Sequence, residues 1–280
     1  MTDGDPRLDP PLSMPTYAVR APLARWLGEE AVRATGDLGR YRLLDVGSGE
    51  KPYAPLFAPH VSEYVGLDTA PHANADLVGP IEAIPAPDAS FDVVICIQVL
   101  EHVEDPARGV RELSRVTRPG GRVLLSTHGA IVYHPNPVDL WRWTHEGLGR
   151  LFSENGDWAS VTVTPGSGTA SSLAMLNAIY LEHVLRRTPL RPVRGALVSG
   201  LNRVARALDR RSATLREPRP GTLAANYHVV ADKGGGTRGS PTSPLLSRSD
   251  ATERERTSRP AKSASGREGK HPGKRRGSGT

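Results

Sequence analysis

Two acids and two glycines carry the first chemistry legible in the chain. In Leu43–Gly49, LLDVGSG, an apolar run holding Asp45 ends in Gly47-x-Gly49. A buried strand that ends in a glycine turn offers backbone N–H groups to a ligand with no side chain in the way. Asp45 stands inside the apolar run, where an unpaired carboxylate is costly, so it is expected to hydrogen-bond the turn or a cationic ligand. About 20 residues on, Tyr64-Val65-Gly66-Leu67 ends in Asp68, a spacing that sets an acid beside a ribose in dinucleotide-type folds. No third glycine follows. Glu50-Lys51-Pro52-Tyr53 stands where a pyrophosphate-binding helix would open, so the pattern suits a nucleoside without a phosphate and disfavours an NAD-dependent oxidoreductase.

The elements that position these residues alternate. Tyr17 to about Thr35 has helical spacing at Leu23, Trp26, Leu27 and Ala31. Ala75–Val78 is a short strand candidate, and Phe91–Leu100 (FDVVICIQVL) is apolar and β-branched, as a buried parallel strand should be. Glu101-His102 closes it, Asp105-Pro106 starts a helix to about Val116, and Pro119-Gly120-Gly121 turns into a strand over Arg122–Thr127. Gly129–Trp143 is aromatic, proline-punctuated and aperiodic, which reads as a covering loop. Thr144–Asn155 is a helix candidate with a threonine N-cap, Ala159–Thr164 a strand, and Leu223–Ala231 the last strand. Strand, helix and strand in alternation predict an α/β domain with a mostly parallel sheet. Ligands bind such sheets at the carboxyl edge, which is where Gln98, His102 and His128 fall.

The 280 residues, 38% hydrophobic and 24% charged, suffice for one sizeable domain with appendages. The expected division is a disordered leader over 1–15, a domain over 16–233 and a disordered basic tail over 234–280. Although the formal net charge is +6, the stretch from Gly234 holds 11 Lys/Arg against 4 Asp/Glu, so the remainder carries about −1. The basic excess therefore gives the folded part no specific nucleic-acid partner. One cysteine, Cys96, excludes a disulfide framework and points to a reducing compartment. No apolar run reaches the ~18 residues that cross a bilayer, and the acidic, proline-rich start lacks a secretory signal. A cytoplasmic location is expected, and no metal site.

The insert before the last strand, Ser171–Arg219, is expected to form two helices broken at Thr188-Pro189. In the second, Leu197, Leu201, Val204 and Leu208 share one face and Arg203, Arg206 and Arg210 the other. Between Arg186 and Arg219 there are 10 arginines and 2 acids. A basic amphipathic helix suits a peripheral position on an anionic membrane. Burial of the apolar stripe, as a lid or dimerisation helix, is the outcome expected first. Oligomeric state has no sequence signal.

Taken together, LLDVGSG, the strand end at Asp68, IEAIPAPDASFDVVICIQVLEHVEDP and RPGGRVLLSTH resemble class I S-adenosylmethionine-dependent methyltransferases of the ubiquinone/menaquinone-methyltransferase-like subgroup. DLWRWTHEGLGRLF is similar to bacterial methyltransferases associated with envelope glycans. The resemblance implies a Rossmann-like seven-stranded sheet, mostly parallel, with the 223–231 strand antiparallel and inserted between strands five and six. It implies S-adenosylmethionine as cofactor, with Asp45, Gly47 and Gly49 at its methionine end, Asp68 on the ribose and Ile81 beside adenine. Pro80 stands where many relatives have an acid for the adenine amino group, and Asp76 or Glu82 could substitute. Gln98 would face the departing methyl group. The reaction implied is O-methylation (EC 2.1.1.-) of a small or lipid-linked acceptor. A hydroxyl acceptor benefits from a general base; His102 is the first candidate and His128 the second, with His134, Asp139, Trp141 and Arg142 as acceptor contacts. The rival expectation is a non-catalytic module that binds a partner or membrane through the insert and tail.

Overall fold

The computed structural model describes residues 5–72, 74–135, 137–189 and 191–235. In chain order these form α1 (Tyr17–Leu38), β1 (Tyr41–Val46), α2 (Ala54–Phe57), β2 (Val61–Asp68), β3 (Leu77–Val78), β4 (Phe91–Ile97) and α3 (Pro106–Val116). Then follow β5 (Thr117–His128), α4 (His145–Glu154), β6 (Trp158–Pro165), α5 (Thr169–Leu185), α6 (Arg194–Arg211) and β7 (Asn226–Lys233). They lie in one unit, Met1–Arg238; a second, Gly239–Thr280, is outside the described residues, as is the tail from 236 on.

The seven strands run in the order β3-β2-β1-β4-β5-β7-β6. All pairs are parallel except those of β7, which is antiparallel to both β5 and β6. This is the Rossmann-like class I methyltransferase order, with β7 inserted where the resemblance implies. Successive strand residues point to opposite faces, and the sheet is covered on both. Leu44, Val94, Val123 and Val229 pack with Val110 and Leu113 of α3 and Phe152 of α4. Leu43, Val93, Ile95 and Leu124 pack on the other face with Leu23, Leu27 and Ala31 of α1 and Phe57 of α2. Two helix starts are capped as their residues suggest: Asp105 Oδ1 accepts from Arg108 N at 2.9 Å, and Thr144 Oγ1 accepts from Gly147 N at 3.0 Å.

Several boundaries differ from the sequence expectation, β5 among them, which starts at Thr117 and not at Arg122. β4 ends at Ile97, not Leu100, because Gln98 takes a left-handed φ of 58° and leaves the ladder. β3 keeps only Leu77–Val78, and β7 starts at Asn226 because Ala224 and Ala225 use their carbonyls on Ala130 N and Gly129 N instead. The leader also departs from the disorder expected of it: residues 5–15 form turns, and the carbonyls of Leu12 and Met14 accept from Asn202 Nδ2 at 2.8 and 3.2 Å.

The insert forms the two expected helices, but the second is turned over. Val198, Asn202, Ala205 and Asp209 face inward, while Leu197 (49% exposed), Val204 (60%) and Leu208 (48%) face out. The cause lies in two polar residues with buried partners. Asn202 holds the leader, and Asp209 accepts from Ala170 N at 3.0 Å and Ser171 N at 2.9 Å, capping the start of α5. Unsatisfied backbone donors cost more than an exposed leucine stripe. Among the described residues no helix is long and apolar enough to cross a membrane.

Gly129 couples β5 to the chain before β7. Its N–H donates to Ala225 O at 2.9 Å, and a Cβ there would lie 2.4 Å from Ala224 O, which is backbone and cannot yield. Gly129→Ala should lower stability by about 1–3 kcal/mol in a urea titration. In α4 a Cβ on Gly149 would meet only Val163 Cγ2, at 3.9 Å, so Gly149→Ala should raise stability by about 0.5–1 kcal/mol.

Candidate functional site

At the carboxyl edge of β1 the chain enters the left-handed region at Gly47 (φ 72°), Gly49 (φ 48°) and Lys51 (φ 51°). A side chain on Gly47 would put Cβ 2.3 Å from Val99 Cγ2. The turn spends its N–H groups on β2: Gly47 N and Ser48 N donate to Leu67 O at 2.9 and 3.0 Å, and Gly49 N donates to Asp68 Oδ2 at 2.9 Å. The glycines thus give close approach, and their N–H groups clasp the neighbouring strand instead of standing free for a ligand.

Asp68 also accepts from Thr69 N at 2.7 Å and lies 3.2 Å from His72 Nε2. Desolvation raises its pKa, but the Gly49 and Thr69 N–H groups and His72 outweigh it and leave the carboxyl below its ordinary value. Asp45 is buried and accepts from Tyr64 Oη at 2.6 Å. Desolvation dominates there and pushes its pKa up to about 7, against the Tyr64 hydrogen bond and the charge of Lys51. Asp76 is not free to read a base, since Lys51 Nζ and Gly66 N hold its Oδ2 at 2.5 and 2.7 Å. Glu82, beside Ile81, does border a cavity.

Two cavities open along this edge. One, of about 490 Å³, is walled by Asp68, Ile81, Glu82 and Val99 among others. The other, of about 610 Å³, reaches Asp45, Ser48, Tyr53, Glu101 and His128. They share Gly47, Asp68, Gln98, His102 and His134 as walls. Gln98 is fixed between them: its N–H donates to Ser126 O at 2.8 Å and its Nε2 to Ser126 Oγ at 3.0 Å.

At the far wall Glu101, with 0% exposure, puts Oε1 3.3 Å from His128 Nε2. Its Oε2 accepts from Thr127 Oγ1 at 2.8 Å. Burial drives each group towards its neutral form, lifting Glu101 to about 7 and lowering His128 to about 4. His128 Nδ1 is buried with no hydrogen-bond partner among the described residues. The His134 ring sits 5.9 Å from that of His128 and 5.5 Å from that of His102. No group of side chains among the described residues has the arrangement of a metal site.

Asp45, Gly47, Gly49, Asp68, Ile81, Gln98, His102, His128 and His134 therefore all border the two cavities. Asp139, Trp141 and Arg142 line neither of them. They hold the covering loop. Arg142 Nη2 pairs with Asp139 Oδ2 at 2.7 Å and with Val132 O at 3.0 Å, and Trp141 Nε1 donates to Val103 O at 2.7 Å. The Arg142 guanidinium holds the Asp139 carboxyl well below the usual range. His102 is tied to the same loop through a hydrogen bond from Nδ1 to Val138 O. The residue missed in the sequence is Glu101. Its signal was an acid directly after the most apolar strand, where burial could be foreseen but the partner, His128, could not.

Residues 44–125 match the family described as a methyltransferase domain. The chain is 40% identical over 103 residues to a Mycolicibacterium smegmatis protein named "Probable S-adenosylmethionine-dependent methyltransferase", a match covering 33% of this chain and 40% of that one. It is 32% identical over 125 residues to malonyl-[acyl-carrier protein] O-methyltransferase of Serratia marcescens, covering 41% of this chain and 49% of the other. The chain thus spans less than half the length of these curated relatives. The YcgJ protein of Bacillus subtilis, a solved structure, is 21% identical with a TM-score of 0.46, covering 76% of this chain and 100% of that one.

Asp45 supplies a pH test of the site. Its pKa is raised in the fold from 3.8 to about 7, so ionisation opposes folding above about pH 7, and that opposition fades as the pH falls towards 3.8. Asp45→Asn, which can still accept from Tyr64, should therefore be more heat-stable than the parent at pH 8. The two melting midpoints should converge by about pH 4.

Proposed function

We propose that this chain is an S-adenosylmethionine-dependent methyltransferase that methylates a hydroxyl oxygen of a small or lipid-linked acceptor. The observation that carries the reading is the common wall of the two cavities, at Gly47, Asp68, Gln98, His102 and His134. A nucleoside held by Asp68 and Ile81 would lie against the walls shared with the cavity that reaches Glu101 and His128.

The residues present fit this cofactor. Gly47 leaves no room for a side chain, and Asp45 offers a buried carboxyl that an ammonium group would favour in its ionised form. Ser48 Oγ, buried and without a hydrogen-bond partner among the described residues, borders the same cavity. Bound there, the cofactor supplies a methyl group already activated on a sulfonium. Asp68 would hold the ribose diol, since a carboxylate has about four acceptor sites. Ile81 would pack on the adenine, and Glu82, which borders the same cavity, would stand in for the acid missing at Pro80.

The sulfonium needs little help, but a hydroxyl has a pKa far above 7 and needs a base. With Glu101 ionised, its Oε1 fixes the proton of His128 on Nε2 and leaves Nδ1 to accept the acceptor's hydroxyl proton. The resulting imidazolium is balanced by the adjacent carboxylate. His128 is the catalytic base on this reading and Glu101 its positioning residue, whereas His102, held by the loop, shapes the passage between the cavities. A cavity of about 610 Å³ lies within the usual range for small ligands. The similarity of the 139–152 block to envelope-glycan enzymes supports a lipid-linked acceptor, reached from the cytoplasmic side of a membrane.

Calorimetric titration with S-adenosylhomocysteine tests the cofactor. The parent should bind it, and Asp68→Ala should weaken binding by about 1.5–3 kcal/mol; no binding by the parent would refute the assignment. Transfer to a panel of alcohol acceptors should rise with pH through about 7 as Glu101 ionises. His128→Ala and Glu101→Gln should each lower turnover by about 10²-fold or more, with unchanged S-adenosylhomocysteine affinity, and Glu101→Gln should also flatten that pH limb.

A further inference from the structure

We infer that the free end of the α5–α6 hairpin docks on an anionic lipid surface. The hairpin exposes apolar side chains on both helices. Tyr180 (67% exposed) and Val184 (43%) lie in the last two turns of α5, and Val193 and Leu197 flank the start of α6. Val204 and Leu208 continue the α6 stripe at helical spacing, with Leu201 half-buried between them. This is the arrangement a helix adopts when its apolar face meets something outside the protein, because Asn202 and Asp209 already occupy the inward face with satisfied hydrogen bonds.

Charge selects the occupant. Arg186 and Arg187 are exposed at the end of α5, and Arg203, Arg210 and Arg211 are exposed along α6. The acids of the hairpin are spent: Glu182 pairs with Arg194 at 3.1 Å, and Asp209 is buried on the N–H groups of α5. A second copy seated on the free end would bring its own exposed Arg186 and Arg187 up to the same basic end, which is unfavourable. An anionic bilayer has the opposite complementarity, with leucine and valine entering the headgroup boundary and arginine stems reaching back to phosphate. This placement stands apart from the methyl-transfer reading, since none of these residues borders the two cavities.

Co-sedimentation of the full-length protein with vesicles tests it, using phosphatidylserine/phosphatidylcholine mixtures against phosphatidylcholine alone. Binding is expected on the anionic vesicles, weakened by salt and nearly absent on the neutral ones. The basic tail is common to every variant, so differences report the hairpin. Leu197→Asp with Val204→Asp should abolish most of the binding. Arg186→Gln with Arg187→Gln should weaken it roughly thirtyfold, at about 1 kcal/mol per arginine. Both pairs change exposed residues, so melting midpoints and S-adenosylhomocysteine affinity should stay as in the parent. Parental binding by both double variants would overturn the inference, as would equal binding to neutral vesicles. Concentration-dependent dimerisation lost in Leu197→Asp/Val204→Asp without a change in vesicle binding would assign the face to a second copy instead.

Discussion

The structure depends on how the parallel strands end. A strand buried on both faces must shed its backbone hydrogen bonds at the carboxyl edge without leaving donors stranded. Here each end turns sharply and closes on the strand beside it: Gly47 N and Ser48 N on Leu67 O, Gln98 N on Ser126 O. Both turns use left-handed residues, Gly47 and Gln98. The first avoids a clash with Val99; the second accepts backbone strain and is held by the Ser126 side chain. Gly47 and Gln98, one residue from each turn, are walls of both cavities.

Around that edge the chain buries acids where desolvation raises their pKa. Asp45 and Glu101 both stand near 7, each with a single hydroxyl donor, from Tyr64 and Thr127 respectively. Asp68, met by two backbone N–H groups, goes the other way. Three carboxyls at one sheet edge are thus set to different protonation states by their surroundings, the pattern expected of a working site. The loop from Gly129 to Trp143 is pinned to the same residues, since Leu140 N and Trp141 N donate to Glu101 O and Trp143 N donates to His128 O.

The insert shows the opposite balance. Its second helix satisfies buried polar groups at the expense of leaving an apolar stripe in contact with solvent. Local pattern and global placement disagree there, because Asn202 and Asp209 take the inward face and the leucine–valine stripe is left exposed.

By itself the sequence determined the elements and much of the site. Period-two and period-3.6 patterns report which face of a strand or helix is apolar, and glycines and acids at strand ends report where a ligand can approach. Asp45, Gly47, Gly49 and Asp68 stand out in that way, whereas Ile81, Gln98, His102, His128 and His134 were singled out with the family resemblance and the chemistry it implies. The position of β7 between β5 and β6 came from family resemblance, since periodicity says nothing about strand order. Only the tertiary structure decided what depends on partners distant in sequence. Glu101 found His128, Arg142 reached Val132 O across the covering loop, and Asn202 and Asp209 rolled α6 so that Leu197, Val204 and Leu208 faced out. For α6, hydrogen bonds across many residues outweighed the local pattern. A linear sequence carries the donors and acceptors but not their pairing.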